Sequence, residues 1–201
     1  MLKAHVDILE DFTPEIAQKL KQLADQHKFL LFEDRKFVDI GATVCRQFQR
    51  VESWADVVTV APVLAGDGVL RGIENAINEE TKDKGVILVA EMSCEGALRS
   101  EEYVKSCLKM TETFPMLAMR FVCQSSITSD PGLVQFTPGV SLTASSDSLG
   151  QRYVRPGVAI KERGADVIIV GRAITKSADP KSAAAEHKEE GFSAFLSRCQ
   201  N

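Results

Sequence analysis

Short apolar runs recur along the chain, and helical patterns fill most of the intervals between them. The runs typical of strands lie at roughly 2–8, 29–33, 57–61, 86–91, 117–123, 133–137 and 167–171. After the first run, Thr13 and Pro14 predict an N-cap and a first helical turn, and this helix should continue to about Gln26. Strand and helix repeated without a linker predict one α/β domain over residues 1–201, with right-handed crossovers and the (β/α)8 TIM-barrel fold.

The number of strands is one short of a closed barrel. Seven runs are present where the (β/α)8 fold has eight strands, and the chain opens directly inside the first run. We therefore expect a barrel truncated to about seven strands, with the missing strand upstream of Met1.

Composition argues against several classes of function. The 201 residues carry a formal net charge of −4 without a basic cluster, so a nucleic-acid partner is not expected. No apolar stretch is long enough to span a membrane, and the N-terminus lacks the zones of a signal peptide. The five cysteines are scattered without a CxxC spacing, which disfavours a disulfide framework and a zinc site. We expect a cytoplasmic domain with no metal and no membrane contact.

Charged residues are concentrated after the second apolar run. In an extended segment Asp34 and Lys36 share one face, Glu33 and Arg35 share the other, and Asp39 follows three residues after Lys36. Two carboxylates around one ammonium suit a site that holds a lysine protonated and aims it at a developing negative charge. On the D-x-K-x-x-D spacing alone, an ordinary solvated loop explains the stretch equally well.

The first run alternates in polarity. Lys3, His5 and Asp7 fall on one face, and Ala4, Val6 and Ile8 fall on the other. If the apolar face packs on helices, the polar face points into the barrel. The spacing alone also fits a structural polar pair, Lys3 and His5, in a barrel interior.

Six segments resemble, in order, the motifs of eukaryotic orotidine 5′-phosphate decarboxylase, whether free-standing or as the C-terminal half of uridine 5′-monophosphate synthase. They are Leu2–Ile8, Phe32–Gly41, Ala90–Gly96, Thr137–Val140, Leu149–Tyr153 and Ile168–Arg172. The resemblance runs from the first residue nearly to the last. It implies a lyase of pyrimidine biosynthesis that converts orotidine 5′-monophosphate (OMP) to uridine 5′-monophosphate (UMP) without a metal or organic cofactor.

The resemblance also implies a catalytic array. Lys36 would lie beside C6 of the pyrimidine, stabilise the carbanion left by decarboxylation and then protonate it. Asp34 and Asp39 would hold that lysine charged, and Lys3 would complete an alternating Lys-Asp-Lys-Asp set. The family forms homodimers, in which Asp39 and Thr43 would reach the partner's site.

A second group of residues would bind the rest of the nucleotide. Gly171 and Arg172 follow the last run, where barrel enzymes commonly bind phosphate, and an arginine fork matches phosphate oxygens. The resemblance adds further substrate-binding residues, which are His5, Ser93, Pro138, Gly139, Gln151 and Tyr153. Arg152 departs from the family's glutamine and should point outward. The segment Thr59–Pro62 also departs from the family pattern.

Two alternatives stay open. A sugar-phosphate decarboxylase or aldolase of the same superfamily uses a D-x-K-x-x-D array with magnesium, although Ser93, Thr137–Gly139 and Gln151–Tyr153 favour the nucleotide enzyme. The missing strand favours the second alternative, which is a truncated, catalytically poor chain that serves as a dimerisation or nucleotide-binding partner.

Overall fold

The computed structural model describes residues 1–79, 81–98, 100–143, 146–148 and 150–200. Within them the chain divides into two compact units. The N-terminal unit comprises Met1–Val89 with Lys105–Met119, and the C-terminal unit comprises Ala90–Val104 with Arg120–Asn201.

Strands and helices alternate through the described residues. The strands are β1 (Leu2–Ala4), β2 (Leu31–Phe37), β3 (Val57–Val60), β4 (Gly85–Val89), β5 (Ala118–Val122), β6 (Val134–Thr137) and β7 (Val167–Ile168). The helices are α1 (Pro14–His27), α2 (Gly41–Phe48), α3 (Gly68–Glu74), α4 (Glu101–Thr113), α5 (Pro156–Lys161), α6 (Arg172–Thr175) and α7 (Pro180–Cys199). None of these helices is both long enough and apolar enough to cross a membrane.

In the N-terminal unit, strands β1 to β4 pair in parallel and in chain order. Strands β3 and β4 are almost entirely buried, as expected for a parallel sheet covered by helices. The predicted start of α1 is confirmed, because the Thr13 hydroxyl accepts a hydrogen bond from the Ile16 amide at 3.4 Å and Pro14 is the first helical residue. Helices α2 and α3 touch at two glycines, and a Cβ on Gly72 would lie 2.3 Å from the carbonyl oxygen of Gly41.

In the C-terminal unit, β5 pairs in parallel with β6, and β6 pairs in parallel with β7. Helix α7 begins at the cap residue Asp179, whose carboxylate accepts the Lys181 and Ser182 amides at 3.1 Å. Its Gly191 packs against Ile168 of β7. The buried core of this unit is formed by Val140, Val154, Ala159, Ile160, Ala165 and Ala194.

The alternation and the parallel pairing are as predicted, but several strand limits were wrong. Strand β1 ends at Ala4, and a 3-10 turn follows at Val6–Ile8. In this turn the Ile8 amide donates a hydrogen bond to the His5 carbonyl oxygen at 3.2 Å. Ile8 is 73% exposed, so it does not belong to a buried apolar face. Strand β2 begins at Leu31 and continues to Phe37, because its charged residues find partners inside the unit and need not lie in a loop.

Candidate active site

Asp34 of β2 lies between two lysines of the N-terminal unit. The Lys3 Nζ is 2.8 Å from Asp34 Oδ2, and the Lys36 Nζ is 2.8 Å from Asp34 Oδ1. The pairing of β1 with β2 sets Lys3 opposite Phe32, which brings Lys3 within reach of the carboxylate. The Asp34 side chain is only 13% exposed, whereas those of Lys3 and Lys36 are each 31% exposed, so the carboxylate is the most shielded of the three charges. The structure therefore brings together three of the four residues of the predicted array.

Thr59 holds this cluster from the neighbouring strand β3. Its hydroxyl donates to Asp34 Oδ1 at 3.0 Å and accepts from the Lys36 backbone amide at 2.8 Å. Thr59 is fully buried and is the polar residue in a strand otherwise made of valine. Thr59 was not predicted as a site residue, although a single hydroxyl inside an apolar run was a signal for it.

The backbone at Lys36 is bent. Its φ is 56°, in the left-handed region that a residue with a Cβ adopts at a cost of roughly 1–2 kcal/mol, and the register of β2 against β3 shifts between Glu33 and Phe37. Left-handed non-glycine residues concentrate at functional sites, where the surroundings hold them in place. Here the bend directs the Lys36 amide to Thr59 instead of to the strand ladder.

The electrostatics of Asp34 follow from its neighbours. Burial alone would raise the pKa of this carboxyl, but Lys3 and Lys36 outweigh burial and hold the pKa below its ordinary value. Asp34 therefore stays ionised at neutral pH. Two ammonium groups around one carboxylate leave an excess positive charge, which can stabilise an anion, and each ammonium can donate a proton.

The remaining residues predicted for this unit lie apart from the array. Asp39 follows β2 in an exposed position, and its Oδ1 accepts the Ile40 amide at 2.8 Å, so one chain alone does not bring it to Lys36. Thr43 lies in the first turn of α2, where its amide donates to the Ile40 carbonyl. His5 directly follows β1 and is half-buried.

In the C-terminal unit, Gln151 binds the segment that follows β4. Its Nε2 lies 2.8 Å from Ser93 Oγ and 2.9 Å from the Ser93 carbonyl oxygen. Gly139 adjoins this contact with a φ of 73°, and a Cβ there would come within 2.6 Å of Gln151 Nε2 and 2.5 Å of the Arg152 carbonyl oxygen. Only glycine fits at this position. The adjacent Pro138 carbonyl accepts a hydrogen bond from Gln124.

Arg172 lies beside Tyr153 in the same unit. Its guanidinium carbon is 5.8 Å from the centroid of the Tyr153 ring, and its Nη2 is 2.7 Å from Asp147 Oδ2. Asp147 Oδ1 also accepts the Gln151 amide at 2.9 Å. Gly171 is the cap residue of α6, and its carbonyl accepts the Ile174 amide at 2.8 Å. The predicted phosphate residues are thus neighbours, and Asp147 is a member of the group that we did not predict.

Leu149 and Arg152 also belong to the Leu149–Tyr153 motif. Leu149 lies outside the described residues. Arg152 points outward as predicted, because its side chain is 66% exposed and forms an ion pair at 3.3 Å with the equally exposed Glu95.

A buried carboxylate, Glu91, stands just after β4. It accepts the Ser125 amide and the Ser125 hydroxyl, each at 2.8 Å, and so fixes the segment after β5. Burial, Glu91 and Asp166 together raise the pKa of Cys123 to about 12. Cys123 therefore remains a protonated, packed thiol and not a nucleophile.

The chain is similar to known proteins over nearly its whole length. The model of the family described as "Orotidine 5'-phosphate decarboxylase / HUMPS family" matches residues 1–187. The chain is 41% identical over 202 residues to uridine 5′-monophosphate synthase of Bos taurus, with 98% of this chain and 42% of that protein covered. It is 36% identical over 215 residues to orotidine 5′-phosphate decarboxylase of Passalora fulva, with 98% of this chain and 77% of that protein covered.

Solved structures agree on the fold. A Plasmodium berghei orotidine 5′-monophosphate decarboxylase matches with a TM-score of 0.73 at 17% identity, covering 99% of this chain and 68% of that one. The enzyme of Lactobacillus acidophilus matches with a TM-score of 0.66 at 20% identity, covering 94% and 85%. These matches, with the seven parallel strands found among the described residues, confirm the predicted class of the (β/α)8 barrel. Because the family model spans most of its length, the chain belongs to the orotidine 5′-phosphate decarboxylase / HUMPS family.

Proposed function

We propose that this chain decarboxylates OMP to UMP in pyrimidine biosynthesis, without a metal or organic cofactor. The observation that carries the proposal is Asp34, a largely buried carboxylate that pairs at 2.8 Å with both Lys3 and Lys36. The names of the relatives at 36–41% identity support OMP as the substrate over a sugar phosphate. We also propose a cytoplasmic location, which the free thiol state of all five cysteines supports.

The chemistry needs a fixed positive charge. When the bond between C6 and the carboxylate breaks, its electron pair stays on C6 as a carbanion that no attached group delocalises. The Lys36 ammonium stabilises that charge and then transfers its proton to C6, and solvent restores the proton to the amine. Asp34 holds the Lys36 ammonium in an ion pair at 2.8 Å, and the lowered pKa of Asp34 leaves its carboxylate ionised throughout the neutral range.

Binding of the 5′-phosphate is assigned to the C-terminal unit. Arg172 supplies the guanidinium and Tyr153 its hydroxyl, and Gln151 supplies its amide by releasing Ser93 Oγ, its partner at 2.8 Å. The Arg172 Nη2 lies 2.7 Å from Asp147 Oδ2, so this carboxylate would compete with the phosphate for the guanidinium. Ser93, Pro138 and Gly139 are assigned to the pyrimidine side.

We also propose a homodimer in which Asp39 and Thr43 act on the partner's site. Supporting this, the loop around Asp39 and the loop before α3 carry exposed apolar side chains, Val38, Ile40, Val63 and Leu64, which are 39–83% exposed. Both loops lead into the helices that touch at Gly41 and Gly72. Apolar residues grouped in this way are typical of an interface between proteins.

Mixing two inactive variants tests this arrangement. In a mixed dimer of Lys36→Ala and Asp39→Ala, one of the two sites receives both intact residues, so random mixing should restore about a quarter of the parental activity. A monomeric mass in solution, or no recovery on mixing, would contradict the proposed dimer.

Turnover of OMP tests the proposed function itself. The parent chain should consume OMP and release CO2, and Asp34→Asn should lower kcat at least about a hundredfold, because both lysines lose the anion that orients them. Asp67→Asn is the matched control, since Asp67 forms an exposed ion pair with Arg71 at 2.8 Å. Equal turnover by the Asp34 and Asp67 variants would show that the array of Lys3, Asp34 and Lys36 is not needed for the reaction.

A further inference from the structure

Glu33 is a buried carboxyl group that the proposed chemistry does not use. Its relative exposure is 0%, and both of its oxygens face the backbone amide of Val6, at 3.2 and 3.3 Å. In the parallel register Ala4 is the partner of Glu33, so this contact reaches the chain just after β1 ends.

A second side chain of β2 holds the same segment. Arg35 lies two residues after Glu33 and forms an ion pair with Asp7. Val6 and Asp7 are consecutive residues of the 3-10 turn that follows β1. Two side chains of β2 therefore hold this turn, while Asp34, between them in sequence, holds Lys3.

Strand β1 has few other attachments. It is three residues long, and only three Cα pairs define its register on β2. Lys3, its central residue, is 31% exposed at its side chain and would move with the strand. The contacts of the turn after β1 thus add to a short ladder of backbone hydrogen bonds.

The location of Glu33 is costly for a carboxyl group. Burial, with smaller contributions from Asp7 and Asp34, raises its pKa to about 7, although the Val6 amide and Lys3 oppose the rise. An apolar side chain of similar size would avoid this penalty. The carboxyl group is therefore better explained by what it holds than by its contribution to stability.

We propose that Glu33 is a positioning residue, which anchors the Val6 amide and thereby fixes Lys3 against Asp34. The consequence for catalysis rests on the proposed function, whereas the anchoring can be measured without it. Because the anchor is a hydrogen bond to a backbone N–H, glutamine should replace the carboxyl group and alanine should not.

Chemical labelling of lysines by an acylating reagent, read by mass spectrometry, tests the anchor directly. Glu33→Ala should raise the labelling rate of Lys3 about fivefold or more, since removing one partner of a buried hydrogen bond favours local opening, and Lys36 should label as in the parent. Glu33→Gln should restore the parental rate at Lys3.

Two further variants control the experiment. Val6→Pro removes the donor and leaves Glu33 in place, and proline suits the first position of a helical turn, so Lys3 labelling should rise as in Glu33→Ala. Asp56→Ala removes a comparable carboxylate contact, 2.8 Å from the Leu31 amide, at the opposite end of the β1–β2 ladder from Val6. Its Lys3 labelling should match the parent. Parental labelling in both Glu33→Ala and Val6→Pro, or an equal rise in Asp56→Ala, would overturn the proposal.

A kinetic comparison separates this inference from the proposed function. If the parent turns over OMP, Glu33→Ala should lower kcat by about tenfold or more while the Kd for UMP stays within about threefold, because Lys3 acts on the reacting end of the substrate. If Glu33→Ala raises the labelling rate of Lys3 but keeps the parental kcat, the anchor does not contribute to the reaction. If the parent has no turnover, the proposed function fails, and the labelling still decides the anchor.

Discussion

The ion pair between Arg172 and Asp147 predicts opposite effects of two substitutions on UMP affinity. Arg172→Ala removes the guanidinium proposed to bind the 5′-phosphate. A hydrogen bond to a charged group contributes about 1.5–3 kcal/mol, which corresponds to a loss of affinity of roughly 10- to 150-fold. Asp147→Asn removes the anion that competes with phosphate for Arg172, and its Oδ1 can still accept the Gln151 amide.

The gain from Asp147→Asn should be smaller than the loss from Arg172→Ala. The guanidinium of Arg172 is 47% exposed, and ion pairs at such exposure contribute about 0.2–1 kcal/mol, so UMP affinity should rise by up to about fivefold. In the double variant the gain should disappear, because Asp147 acts only through Arg172. Titration calorimetry with UMP measures all four proteins. Parental affinity in Arg172→Ala, or a gain from Asp147→Asn that persists without Arg172, would refute this reasoning.

Three further predictions concern the N-terminal unit. The raised pKa of Glu33, about 7, penalises its ionised form in the folded state, so the contribution of Glu33 to the free energy of unfolding should be highest below about pH 4.5 and decline as the pH rises toward 7, by up to roughly 3 kcal/mol. Glu33→Gln should remove this contribution from melting curves recorded over that pH range. Gly72→Ala should destabilise the fold by about 1–3 kcal/mol or more, since its Cβ meets the Gly41 backbone, whereas Gly68→Ala, with open space around its Cβ, should melt like the parent or slightly higher. Thr59→Val should lower the free energy of unfolding by about 1–3 kcal/mol in denaturant, because the Lys36 amide and Asp34 Oδ1 lose the hydroxyl that binds them. A parental free energy of unfolding would show that water replaces the hydroxyl.

Much of the N-terminal unit could be predicted from local patterns. The Thr13–Pro14 signal located the start of α1, since capping depends on neighbouring residues only. Alternation along a strand placed Asp34 and Lys36 together, and the structure confirms that their charged atoms are 2.8 Å apart. Whether Asp39 and Thr43 act across a dimer stays a prediction.

The features that could not be predicted depend on contacts between distant residues. Thr59 meets Asp34 across 25 positions, and Asp147 meets Arg172 across a similar distance, so no local pattern signals either pair. The left-handed backbone of Lys36 is set by the same packing and not by a glycine. The end of β1 at Ala4 was missed because alternation continues in the sequence, while the amide of Val6 turns to Glu33.

Steady-state kinetics of Lys36→Ala, with OMP as substrate and UMP binding measured beside it, test the central claim most directly. Lys82→Ala is the matched control, because Lys82 is 64% exposed and forms a surface ion pair with Glu79. The Lys36 variant should retain less than about a tenth of the parental kcat, a loss above roughly 1.4 kcal/mol, with the Kd for UMP largely unchanged, since the ammonium acts on charge present only in the transition state. Turnover by Lys36→Ala above that level, or equal losses in the Lys36 and Lys82 variants, would contradict the role of Lys36 as the group that stabilises and protonates C6.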